Sequence, residues 1–147
     1  MKSLYTPNIS NSKTWSTSMQ HRLILTLGTN TGSSLPLDIA LSELKQSIVP
    51  LGVSPTMQTK PIDFPYPSRP FHNIILVGIT SLCYEALCHE CKRIEVLSGR
   101  TLEQREVSPE LIPLDLDIVI WDGKVCKPKD LYRPYVFEGL REIFLLD

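Results

Sequence analysis

The sequence predicts an α+β fold, a ferredoxin-like βαββαβ sandwich with one antiparallel sheet and its helices on one face. Three observations point there. Strand-like apolar runs begin near positions 22, 53, 71 and 114. Two other segments repeat their apolar residues at helical spacing, around 37–48 and 84–98. The resulting order is strand, helix, strand, strand, helix, strand. The chain of 147 residues shows no internal repeat and no linker, so it is read as one domain over residues 22–147 behind a flexible tail over residues 1–21.

Each element has its own signal. Leu23, Leu25 and Leu27 alternate with Ile24 and Thr26, and this first strand ends in Gly28-Thr29-Asn30. Ser33 and Ser34 are candidate caps for the first helix, with Pro36 in its first turn. Leu37, Leu41, Leu44 and Ile48 form its apolar stripe, which should close near Pro50. A strand over 53–59 leads into a proline-rich loop; half of the twelve prolines lie between positions 50 and 70. Proline cannot donate to a sheet ladder, so this stretch is a stiff wall rather than a strand. Residues 71–80 read as a strand with two apolar faces, and 84–98 as the second helix with Gly99 as its C-terminal cap. A polar loop over 100–110 precedes the strand 114–121, which Asp122-Gly123 turns into a hairpin.

Composition excludes several classes of function. The hydrophobic fraction is 42% and the charged fraction 21%, values of a globular protein. Fifteen Lys and Arg against sixteen Asp and Glu leave no broad cationic field for a nucleic acid. No apolar run approaches the roughly 18 residues of a membrane span. The expected protein is cytoplasmic, a monomer or weak dimer, with no nucleic-acid or membrane partner. Residues 1–21 contain no Asp or Glu and lack the apolar centre of a secretory signal. Cys88 and Cys91 flank His89 in a C-x-x-C, which raises zinc. Tyr84, Leu87, Cys91 and Ile94 share a helical stripe, however, so Cys91 is expected in the core as a reduced thiol.

The sharpest chemical signal is Asp115 with Asp117. Residues two apart on a strand point to the same side, roughly 6.5 Å apart along the chain. Asp115, Asp117, Val119 and Trp121 therefore share one face, and Leu114, Leu116, Ile118 and Ile120 the other. So apolar a strand is expected to be central. Two carboxylates there repel each other and lose hydration unless something positive compensates. Mg²⁺ chelated by phosphates is one such compensation. The other reading is a water-exposed face on which the aspartates aid solubility. Spacing alone does not separate the two. The sequence holds no convincing Ser-His or Cys-His arrangement.

Read with the rest of the chain, Leu114-Asp115-Leu116-Asp117-Ile118 resembles the L-D-L-D-I signature of hydroxymethyldihydropterin pyrophosphokinases. Gly28-Thr29-Asn30 resembles that family's G-S-N. Thr59-Lys60-Pro61 and Phe71-His72-Asn73 resemble its T-x-P and Y-x-N segments, and Ile94-Glu95 with Gly99-Arg100 its I-E-x-x-x-G-R. Arg133-Pro134 with Arg141 resembles its terminal substrate loop. The likeness runs from about Arg22 to Leu146, in order.

The resemblance implies transfer of pyrophosphate from ATP to a hydroxymethyl pterin, releasing AMP, in folate biosynthesis. Asp115 and Asp117 would hold two Mg²⁺ ions on the ATP phosphates, with Arg100 as a further catalytic cation. Thr59, Pro61, Phe71 and Asn73 would form the pterin pocket, covered by an apolar group near Ile143 or Phe144. Lys92, Glu95, Arg105 and Arg141 would lie near the nucleotide. Taken on its own, Glu95 reads equally as a solvated charge at a helix end. Departures exist. Ile112 stands where the family has Arg, Tyr135 where it has His, and members continue for a helix and strand past Asp147. The alternative function is a non-catalytic or weakly active paralogue that binds pterin or nucleotide.

Overall fold

The computed structural model describes residues 19–145. Residues 1–18 of the expected tail lie outside the described residues, and the first strand already begins at His21. Strands β1 (His21–Thr29), β2 (Val49–Val53), β3 (Met57–Thr59), β4 (Phe71–Thr80), β5 (Asp115–Trp121) and β6 (Lys124–Val125) form one sheet. Its order is β2-β4-β1-β5-β6, with β3 also paired to β4, and every pairing is antiparallel. Helices α1 (Leu35–Leu44) and α2 (Tyr84–Leu97) lie on one face, as the periodicity predicts. They bury Leu37, Ala40, Leu44, Leu87, Cys91 and Ile94 against Leu23, Leu25 and Leu27 of β1. Burial pushes the Cys91 thiol up to about 12, so it stays protonated at neutral pH.

The structure refines several boundaries. The helix expected to run to Pro50 ends at Leu44, and Ile48 reaches the same core from a turn. Ser34 is the N-cap residue but makes no side-chain cap bond; the Ser33 hydroxyl instead accepts from the Leu35 N–H at 3.1 Å. The strand expected over 53–59 is two strands, both on β4. The loop over 100–110 contains a short helix, α3 (Leu102–Val107), whose cap is Thr101. Asp122 and Gly123 have φ of 50° and 81°, the left-handed pair of a tight hairpin turn.

Two further helices are added, α4 (Pro128–Leu131) and α5 (Pro134–Leu145), and these cover the second face of the sheet. Leu131 and Val136 pack there with Ile75 and Val119. Gly139 lets α5 approach: a Cβ there would lie 2.5 Å from Ile75 Cγ1 and 3.0 Å from Met57 Cε. Alanine gains about 1 kcal/mol over glycine in a helix, while overpacking costs about 1–3 kcal/mol. The packing term should win, so Gly139→Ala should lower the midpoint of thermal unfolding despite its better helix propensity. Among the described residues no helix is long and apolar enough to cross a membrane.

Candidate functional site

The first β1 turn organises one end of the sheet. Asn30 is buried, and its side chain ties three segments together. Its Oδ1 accepts from the Ile112 N–H at 2.6 Å, and its Nδ2 donates to the Glu110 carbonyl at 2.8 Å and the Ser68 hydroxyl at 3.3 Å. The proline-rich loop and the segment before β5 are therefore both anchored to β1. Gly28 is required nearby for space, since a Cβ there would sit 2.9 Å from Asn73 Oδ1.

These anchors frame a cavity of about 230 Å³ over the β1–β4–β5 end. Thr59, Phe71 and Asn73 line it, with Asn73 Nδ2 donating to Thr59 Oγ1 at 2.6 Å. Phe64 of the proline-rich loop meets Phe71 edge to face, their ring centres 5.7 Å apart. Ile112, Arg133 and Tyr135 complete the wall, and burial pushes the Tyr135 phenol up to about 12. A second cavity of about 330 Å³ opens between α2 and β5, lined by Lys92, Glu95, Arg105 and Lys127. Arg100, Asp115 and Asp117 border both.

The aspartates face away from α1 and α2, as alternation predicts: Thr26 pairs with Asp117 and Leu27 with Leu116. The expected alternation fails past Ile118, because a bulge opposite Ile24 and Leu25 turns Ile120 to the second face with Val119, and Trp121 to the α2 side, against Tyr84. β5 is not central along this stretch. Its outer neighbour β6 is two residues long and pairs only with Ile120 and Trp121. Residues 115–118 therefore have no strand neighbour on the outer side, where Glu95 of α2 meets the Leu116 N–H and the second cavity reaches the carboxylates. Asp117 is the more buried, its side chain 20% exposed against 45% for Asp115. Burial, then the Asp115 charge, push the Asp117 carboxyl up to about 7, while Lys127 opposes the shift. Asp115 accepts from Arg100 Nη1 at 2.9 Å, and the same nitrogen donates to the Leu114 carbonyl at 3.2 Å.

Glu95 is not a solvated charge at a helix end; it is 3% exposed. Its Oε2 accepts from the Leu116 N–H at 2.8 Å, which holds α2 to β5. Three cations converge on it: Arg100 and Lys92 at 3.7 Å and Arg105 at 4.0 Å. Its Oε1 has ion-pair neighbours but, among the described residues, no hydrogen-bond partner.

The structure thus brings together Asp115, Asp117, Arg100, Lys92, Glu95 and Arg105, and, on the other side, Thr59, Phe71 and Asn73. It does not bring Pro61, Arg141 or Phe144 to either cavity; Arg141 and Phe144 are exposed on α5. Sequence reasoning did not single out Lys127, whose Nζ is 3.1 Å from Asp117 Oδ1, nor Phe64. The available signal for Lys127 was a basic residue just past the hairpin that returns along β5. A model of the 7,8-dihydro-6-hydroxymethylpterin-pyrophosphokinase family matches residues 24–145. Among curated proteins no match is found.

Proposed function

Because the chain belongs to the 7,8-dihydro-6-hydroxymethylpterin-pyrophosphokinase family, a family of folate biosynthesis that uses ATP with Mg²⁺, we propose that it transfers pyrophosphate from ATP to the hydroxymethyl group of 6-hydroxymethyl-7,8-dihydropterin in the cytoplasm, releasing AMP. One observation carries this reading: two cavities of different character share Asp115, Asp117 and Arg100. The cavity with Asn73, Thr59 and two phenylalanines suits a flat, hydrogen-bonding ring. The cavity with Lys92, Arg100, Arg105 and Lys127 suits a polyphosphate. The reacting groups would then meet at the aspartates.

The carboxylates fit a magnesium site. They are hard oxygen donors, and the burial and Asp115 charge that raise the Asp117 carboxyl are costs of a charged pair that a bound cation would offset. Asp115 and Asp117 would hold two ions, which would neutralise the triphosphate. The remaining work falls to the chain's own side chains. Arg100, fixed by Asp115 and the Leu114 carbonyl, presents a guanidinium at the junction of the cavities. Asn73, its amide fixed by Thr59, orients the ring beside Phe71. The anchors of Asn30 hold both loops beside the first cavity, where they would limit entry of water to bound substrates.

A second reading is favoured by one observation. Ile112 and Tyr135, which replace charged or titratable family residues, both line the cavity rather than pointing elsewhere. A protein that binds both ligands but turns over slowly would follow. Incubation with ATP, Mg²⁺ and the hydroxymethyl pterin should release AMP only when all three are present. Magnesium-dependent thermal stabilisation by ATP without any AMP release would favour the second reading, and the absence of both would reject the family activity for this chain.

A further inference from the structure

Besides lining the second cavity, Lys127 is the one Lys or Arg among the described residues with a nitrogen within 4.0 Å of the Asp117 carboxylate. We infer that Lys127 is a place-holding cation, whose ammonium occupies in the ligand-free protein the position against Asp117 that a divalent ion must take. It is thus a positioning residue that sets metal affinity. This rests on reading Asp115 and Asp117 as metal carboxylates.

The two carboxylates have counter-ions of different kinds. Arg100 on Asp115 is 16% exposed, is held also by the Leu114 carbonyl, and lies 3.7 Å from Glu95. It is built in. Lys127 on Asp117 is 50% exposed and, among the described residues, makes this single ion pair. Its backbone is tethered on both sides: the Cys126 N–H donates to the Val119 carbonyl at 2.8 Å, and Pro128 opens α4. A fixed backbone with a long, flexible stem and a strongly hydrated point charge is a displaceable partner. Displacement needs no large movement, because the second cavity, which Lys127 also lines, adjoins the carboxylate.

The physical consequence has a definite sign. A positive charge 3.1 Å from the ligand oxygen opposes the approach of a doubly charged ion, although Lys127 can retreat and recover part of that cost. Removing the ammonium should therefore tighten metal binding to the free protein, by about tenfold if a few-fold is lost to that retreat. A lysine whose role is merely structural would leave metal affinity unchanged.

The test is anaerobic Mn²⁺ titration of the ligand-free full chain at one fixed pH, followed by electron paramagnetic resonance. Lys127→Met should bind Mn²⁺ about tenfold more tightly than the unmodified protein. Lys127→Arg, which keeps the charge, should stay close to the unmodified protein. Adding Asp117→Asn to Lys127→Met should remove the gain. Lys127→Met binding Mn²⁺ no more tightly than the unmodified protein, or not at all, overturns the inference. A gain that survives Asp117→Asn overturns it as well, since the ion is then elsewhere. Failure of Asp117→Asn alone to weaken Mn²⁺ binding rejects the metal reading of the aspartates themselves, and the place-holder with it.

Discussion

Asp117→Asn should stabilise the ligand-free protein at pH 8 while abolishing the magnesium-dependent thermal shift produced by ATP. The unfolded chain ionises this carboxyl near 3.8, whereas the folded protein holds its proton up to about 7. Between those values the native state binds more protons than the unfolded state, so stability falls as pH rises from about 4 to about 7. Above that window the destabilisation is fully present; below it, absent. Asparagine cannot ionise, so the variant should lose the pH slope and gain roughly 1–3 kcal/mol at pH 8, less than the full shift because the Lys127 ion pair is also lost. Turnover should fall by roughly 10²–10³, the usual cost of losing one preorganised electrostatic contact to the transition state. Chemical denaturation of both proteins across pH 4–8 measures the first effect, and AMP release the second. A stability loss in the variant at pH 8 together with an intact ATP shift would contradict the assignment of Asp117 to the site.

Glu95→Ala should be the most destabilising change at the site, costing about 1–3 kcal/mol in the ligand-free protein, chiefly for the stranded Leu116 N–H. Three cations lie within 4.0 Å of this one buried carboxylate, and the Leu116 N–H depends on it for its hydrogen bond. Alanine removes both compensations, stranding a buried donor and leaving Lys92, Arg100 and Arg105 to repel one another. Glu95→Gln separates the two causes. It retains an acceptor for Leu116 but not the charge, so it should recover part of the loss. Urea titration at low and high salt reads the difference, because screening relieves repulsion among the partly exposed cations but does not replace a hydrogen bond. Equal stability of the unmodified protein and Glu95→Ala would mean that the carboxylate does not tie α2 to β5.

The position of Glu95 also shows where sequence reasoning stopped. A glutamate one turn before a helix end, followed by Gly99-Arg100, reads equally as a solvated charge or a ligand contact. Only the approach of α2 to β5 buries it. β5 offers a similar lesson, since its apolar composition predicts a central strand. Its inner edge pairs with β1, yet the Asp122-Gly123 turn is followed by only two paired residues, and beside the aspartates the outer edge has no strand neighbour.

By itself the sequence determined the order of the elements, the two helices on one face, the side-by-side placement of Asp115 and Asp117, and the family. Those features are written in residues a few positions apart, where a period of two or of about 3.6 decides which side chains share a face. The tertiary structure alone decided that α4 and α5 cover the second face, that Asn30 gathers residues 68, 110 and 112, and that Lys127 meets Asp117. It also set Pro61, Arg141 and Phe144 apart from the cavities. Burial and counter-ions depend on partners far apart in the chain, Asn30 and Ile112 being 82 residues apart. No local pattern carries that pairing, because the cost of stranding a polar group is felt only once the elements have closed around it.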